Sequence, residues 1–396
     1  MTAMIIIIFC SLILLAYVFD LTASKTKVPS VLLLLLLGWT VRQLVSFLGI
    51  RLPDFSLFLP VIGTVGLILI VLEGSLDLEL RKSRIKLITK SFLSALFPMA
   101  ATAIVLAYLF HHFSGYPMDT CLRNAIPFCV ISSAVAIPST KNLMRKDKEF
   151  VIYESSFSDI LGVLFFTAMT IDRTPDVQTF LRFGWHLGLM VIISFLATIG
   201  LAYLLSKINH HIKFIPIIFL IILIYAVSEI YHLPALVFIL LFGLFIGNLD
   251  NFKKYKWIEK LKPVILEKEV GRFRELTVEA AFLIRSLFFL LFGYFLENSE
   301  IMDTSTLLWA AGIVGIVYIL RAFQLKMIGF RLKPLTYIAP RGLITILLFL
   351  SIPPDQKIPL VTSSLVTQII ILTTLIMMFG LVKSSGKSIP PQINQE

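Results

Sequence analysis

Long apolar runs, separated by short polar or charged stretches, recur along the whole of this chain. They fall at about 4–20, 28–46, 57–78, 90–111, 122–139, 151–171, 183–206, 214–232, 234–248, 276–296, 306–326, 335–352 and 363–382. Most approach the roughly 20 residues that an α-helix needs to cross a hydrocarbon core about 30 Å thick. The apolar positions are continuous rather than alternating, which excludes a membrane β-barrel. The expected fold is an all-α polytopic membrane protein with 13 transmembrane helices. The first run, MIIIIFCSLILLAYVF, has no basic leader and no small-residue cleavage site, so it reads as a span and not as a signal peptide.

Composition agrees: 58% of the 396 residues are hydrophobic and 15% are charged, where a soluble domain carries about 25% charged residues. The net charge of +11 raises the question of nucleic acid, which its distribution answers. With the N-terminus outside, the cytoplasmic segments are 21–27, 79–90, 140–150, 207–213, 249–275, 327–334 and the tail. Together with Lys326 they hold 26 of the 35 Lys and Arg residues. Six face outward (Arg42, Arg51, Arg123, Arg173, Arg182 and Lys357), and Arg285, Arg321 and Arg341 lie within spans. Basic residues gathered on one side are topology determinants. They predict an N-out, C-in protein of the plasma (inner) membrane, with no nucleic-acid partner. Segment 249–275 reads as an amphipathic cytoplasmic linker between two halves. Cys10, Cys121 and Cys129 lack CxxC spacing and read as buried thiols.

Ionisable residues inside spans are costly and mark function by default. The acids are Glu73, Glu154, Asp159 and Glu229; the bases are the three arginines. A rise of about 1.5 Å per residue places Asp159 about 12 Å into the sixth span, near the midplane, and Glu154 about 5 Å in. Arg321 lies about 7 Å from the same surface, close enough in depth to pair with Glu154. Asp159 has no such partner; around it stand Ser155, Ser158 and, on the fifth span, Ser132 and Ser133. A desolvated carboxylate among hydroxyls binds a proton or a small cation, and competition between the two couples their movements. The expected ion-binding set is Asp159, Ser158, Ser155, Ser133 and Ser132, with Glu154–Arg321 as a structural ion pair. Arg341 either satisfies freed carbonyls or takes part in transport, and Arg285 pairs with Glu73 or Glu279 or takes part in transport.

Two spans carry helix breakers at their centres. The fifth has Pro127 and Pro138 around its serines, and the twelfth has Pro340-Arg341-Gly342. Proline and glycine interrupt helices, and irregular backbone at membrane depth is tolerated only around a cavity. Each is the middle member of a three-span group, 4–5–6 and 11–12–13. Matched broken helices in inverted repeats mark the midplane site of many transporters.

Glu154 followed at five positions by Asp159 in YESSFSDI, Arg321 in YILRAFQL, Arg341-Gly342 in APRGLIT, the RSLFFLLFG segment and the 224–248 span pair together resemble the monovalent cation/proton antiporter superfamily, nearest its sodium/proton exchanger (NhaP- and NHE-like) branch. The resemblance covers nearly the whole chain. It implies an NhaA-like antiporter fold and exchange of a monovalent cation, sodium first, for protons by elevator-type alternating access. It implies a homodimer in a lipid bilayer, with no cofactor and no enzymatic activity. The core spans would be about 90–171 and 306–382, and the scaffold spans about 4–78 and 183–296. Two departures stand at the site: Ser132-Ser133-Ala134 where the family reads Thr-Asp-Pro, and Ser158 where it has Asn. One free carboxylate then predicts electroneutral exchange. The rival readings are an organic-anion transporter holding a carboxylate on Arg285 or Arg341, and a non-transporting membrane sensor. A lipid transferase using His111 or His112 with Asp119 lacks the HxxxxD spacing, and no GxxxxGK[ST] is present for an ATPase.

Overall fold

The computed structural model describes residues 2–26, 28–49, 57–78, 84–140, 143–170, 177–207, 214–231, 233, 235–248 and 263–385. Among them there is no strand. The helices are α1 (Thr2–Thr26), α2 (Ser30–Phe47), α3 (Phe58–Asp77), α4 (Ile85–Ser114), α5 (Met118–Ala125), α6 (Ser133–Ser139), α7 (Arg145–Thr170), α8 (Val177–Lys207), α9 (Phe214–Ile230) and α10 (Ala235–Gly247). They continue with α11 (Pro263–Phe295), α12 (Asn298–Ile301), α13 (Thr304–Ile328), α14 (Leu343–Leu350) and α15 (Ser363–Ser385).

Nine described stretches are long and apolar enough to cross a membrane, one of them the interrupted Met118–Ser139. Three shorter apolar helices, Ile7–Ala23, Phe214–Ile230 and Ala235–Gly247, and the broken segment that ends in α14 complete the thirteen expected spans. This is an integral membrane protein. Its perimeter carries large apolar side chains such as Phe47, Phe219, Leu308 and Ile319, which are stable in lipid and not in water.

Local chemistry explains the ends. Gly115 and Gly329, both at positive φ, close α4 and α13 in the left-handed conformation. Asp303 caps α13 by accepting from the Ser305 amide at 3.0 Å. The tenth span begins earlier than the apolar pattern predicts. Helix α11 starts at Pro263, whose missing amide costs nothing at a first helical position. Residues 263–275 of the expected linker are therefore helix, because polar residues there continue the helix beyond the apolar stretch. The rest of that linker, 249–262, lies outside the described residues, as do the basic residues at 81–82, 253–262 and Lys387. Cys121 and Cys129 are buried, but Cys10 is exposed: it points outward from a helix that needs no polar partner in lipid.

Two packing groups emerge. In one, α11 lies against α2 and α3, and α10 bridges α3 and α8. In the other, α4 packs on α5, α7 and α13, α13 on α15, and α6 on α7. They meet where α3 touches α7 and α14, and where α10 touches α7.

Both expected breaks are present. The fifth span runs through α5 and a 3-10 turn at Ile126–Phe128, is non-helical at 129–132, and resumes as α6. The twelfth has a 3-10 turn at Leu335–Tyr337, irregular backbone to Gly342, and then α14. The two interruptions cross, and the Ser132 amide donates to the Pro340 carbonyl at 2.9 Å. A Cβ at position 342 would come within 2.8 Å of Ser132 Oγ and of a Val135 methyl, so only glycine permits this approach. Gly342→Ala should therefore lower stability by about 2–3 kcal/mol, by forcing two buried neighbours apart. Gly315→Ala on α13, whose added carbon would meet nothing within 4 Å, should be neutral. Apparent melting temperatures of the two variants in detergent check both outcomes.

Candidate functional site

The crossing leaves backbone groups unpaired by either helix, and the site is built around what pairs them. Ser158 Oγ on α7 accepts from the Ile131 amide at 2.9 Å. Arg341 donates through Nε to the Phe128 carbonyl at 2.7 Å and through Nη1 to the Ala339 carbonyl at 3.2 Å. Its own amide donates to Thr373 Oγ1 at 3.1 Å. One guanidinium, 2% exposed, thus serves carbonyls at both breaks, which is how non-helical backbone survives without water.

Along α7 the two acids have opposite surroundings. Glu154 meets Arg321 of α13 in a two-pronged pair at 3.1 and 2.9 Å, with both residues almost fully buried. Arg321 Nε also donates to the Leu335 carbonyl at 2.9 Å, at the start of the second break. The pair therefore joins α7, α13 and the segment leading into the crossing. Gln324, one turn along α13, stands beside Glu154.

Asp159 lies one and a half turns further along α7 and is 2% exposed. Its Oδ2 accepts from the Ser133 amide at 3.2 Å and from the Ser133 hydroxyl. Its Oδ1 has no hydrogen-bond partner among the described residues. The residue borders a narrow cavity, too small for a water molecule in this arrangement, lined by Ile70, Val71 and Ser75 of α3, Ser133 of α6, Ser156 and Ile160 of α7, and Leu240 of α10. The cavity therefore lies on the seam between the two packing groups.

The other expected residues are placed differently. Ser155 turns its hydroxyl back to the Val151 carbonyl at 2.8 Å, a bond within its own helix. Ser158 serves the broken backbone, and Ser132 Oγ is buried without a partner beside Gly342. Arg285, on α11, is half-buried and close to Glu73; it does not line the Asp159 cavity. Ser75 and Ser156 do line it and are absent from the expected set. Ser156 was within reach of sequence reasoning, since it precedes Asp159 by three residues and so shares its helix face. Ser75 was not, because nothing local ties α3 to α7.

The double-pronged pair yields a double-mutant prediction. Glu154→Gln should cost about 3–5 kcal/mol by leaving Arg321 as an uncompensated buried charge. Glu154→Gln with Arg321→Gln should recover part of that loss, read as melting temperature and folded yield. Simple additivity would mean that the two residues are not energetically coupled.

The family model for the transmembrane sodium/hydrogen exchanger matches residues 10–383. Among solved structures, the chain is similar to the sodium proton antiporter MjNhaP1 from Methanocaldococcus jannaschii at pH 8, with 19% identity and a TM-score of 0.66. That match covers 98% of this chain and 100% of the other. A second structure of MjNhaP1, from an electron-microscopy map, matches at 17% identity and a TM-score of 0.69, covering 99% and 100%. At these identities the likeness is one of fold. No curated protein matches.

Proposed function

The chain belongs to the sodium/hydrogen exchanger family, a family of transporters and not of enzymes, and on that premise we propose that it exchanges sodium for protons at Asp159. The observation that carries this reading is the state of that carboxylate. It is buried, one oxygen is held by Ser133, and the other has no partner. A buried carboxylate without a counter-charge is costly bare, and binding one proton or one monovalent cation relieves the cost. The similarity to a sodium proton antiporter favours sodium as the cation.

The transport cycle is an elevator. The group containing α4–α7 and α13–α15 moves against the group containing α2, α3, α8, α10 and α11, and carries Asp159 from one side of the membrane to the other. The position of the cavity on the seam between the groups supports this, because relative movement there changes which side the carboxylate faces. Glu154 stays paired with Arg321 throughout, and Ser133 does not titrate. Each half-cycle then carries the same charge, and exchange is electroneutral. The protein works as a homodimer in the plasma membrane with its N-terminus outside. An organic-anion reading would need a free guanidinium at the site, whereas that of Arg341 is engaged with two carbonyls and Arg285 stands close to Glu73, outside the lining of the Asp159 cavity.

Asp159→Asn keeps the shape of the side chain and removes its charge. It should abolish sodium-driven proton movement in proteoliposomes while the protein remains folded and of unchanged oligomeric state. Retained exchange would remove Asp159 from the mechanism. A second measurement addresses charge. With sodium as the transported ion, a membrane potential imposed by potassium and valinomycin should leave the exchange rate unchanged. A strong voltage dependence would mean that a second group changes its charge during the cycle.

A further inference from the structure

The cavity beside Asp159 contains more oxygen than the carboxylate alone supplies. Ser156 is 7% exposed, lines the cavity, and has no hydrogen-bond partner for its hydroxyl among the described residues. A helical hydroxyl often bonds back to its own helix, as those of the buried Ser155 and the half-buried Thr170 do on α7. Ser156 departs from that habit at the one place on α7 where Asp159 Oδ1 is also unpaired.

The opposite wall is fitted to it. Gly74 of α3 faces Ser156, and a Cβ at position 74 would sit 3.1 Å from the serine oxygen. A side chain there would press the hydroxyl aside; glycine leaves it room. Next to Gly74, Ser75 is 1% exposed and donates its only proton to the Leu72 carbonyl at 2.9 Å. It can therefore offer the cavity only lone pairs. Ser133 has likewise given its proton to Asp159 Oδ2. The remaining lining is aliphatic, which excludes water and leaves these oxygens as the available ligands. Small hard cations take oxygen ligands of this kind.

We propose that the Ser156 hydroxyl is a direct ligand of the transported cation, alongside Oδ1 of Asp159, and that Ser75 contributes an oxygen from α3. This rests on the reading of Asp159 as the exchange site and adds to it the groups that set cation affinity. The same oxygens serve both loads. With a cation bound, the carboxylate and the hydroxyl lone pairs surround it. With a proton bound, the new O–H of Asp159 donates to a hydroxyl lone pair. Because Ser75 sits on the opposite side of the seam, its contact with the ion is made only while the two groups are in the present arrangement.

The test uses the full-length protein, purified for melting curves and reconstituted for exchange under an imposed pH gradient, with sodium titrated against choline. Ser156→Ala should raise half-saturating sodium about tenfold with turnover at saturation retained, the effect of losing one ligand to a charged group. Its sodium-dependent rise in melting temperature should move to higher sodium by the same factor. Ser75→Ala should give a smaller rise, about threefold. Thr198→Ala removes an equally buried and unpartnered hydroxyl from α8, outside the cavity, and should change neither quantity. Half-saturating sodium in Ser156→Ala within about twofold of the unaltered protein would overturn the proposal. Should that variant not fold, an unchanged Ser75→Ala would overturn it equally. If the unaltered protein shows neither exchange nor stabilisation with sodium, the sodium reading itself fails, a result distinct from a variant that behaves like its parent.

Discussion

Everything at the centre of this protein depends on one constraint: backbone that leaves its helix inside a membrane must find partners without water. The bond from the Ser132 amide to the Pro340 carbonyl is where the two interrupted spans satisfy each other directly. Around it the debt is met by side chains borrowed from other helices, Ser158 from α7 and Thr373 from α15, and by Arg341 from within the second break. The arginine reaches the Phe128 carbonyl, 213 positions away in the chain, so the two breaks form a single unit. Gly342 makes the approach sterically possible.

That unit sets the chemistry of α7. Four of its polar side chains in the six residues from 154 to 159 do four different things, separated only by helical rotation and depth. Glu154 is neutralised by Arg321, which also holds the carbonyl of Leu335. Ser155 is bound to its own helix, and Ser158 is committed to the break. Of these four, Asp159 keeps an unpaired oxygen, since Ser133 satisfies only one side of it, and the hydroxyl of Ser156 beside it is unpaired as well. A paired acid and an unpaired acid thus stand on one helix, the first with its charge matched and the second open to a proton or a cation.

The position of the unpaired acid matters as much as its state. Its cavity is walled by α6 and α7 on one side and by α3 and α10 on the other. A carboxylate buried within either packing group would be a static packing element. At the seam it becomes sensitive to any relative displacement of the two, and the small residues Gly74, Ser75 and Ser156 allow the helices to lie close there.

The spans, the two breaks, and the shared depth of Glu154 and Arg321 were all legible in the sequence. Lipid demands long apolar runs, proline and glycine interrupt them locally, and depth follows from counting residues. Likewise the isolation of Asp159 from any cation followed from the scarcity of charge at its depth. The tertiary structure alone decided which hydroxyl among several candidates reaches the carboxylate, that Arg341 bridges both breaks, and that α3 contributes to the cavity. It also decided that α11 begins at Pro263, well ahead of its apolar portion. The reason is geometric. A helix one residue out of phase turns a side chain by about 100 degrees, so Ser155 and Ser156 are equivalent in composition and opposite in use. Contacts such as Ser133 with Asp159 or Gly74 with Ser156 join elements whose relative rotation no local pattern records.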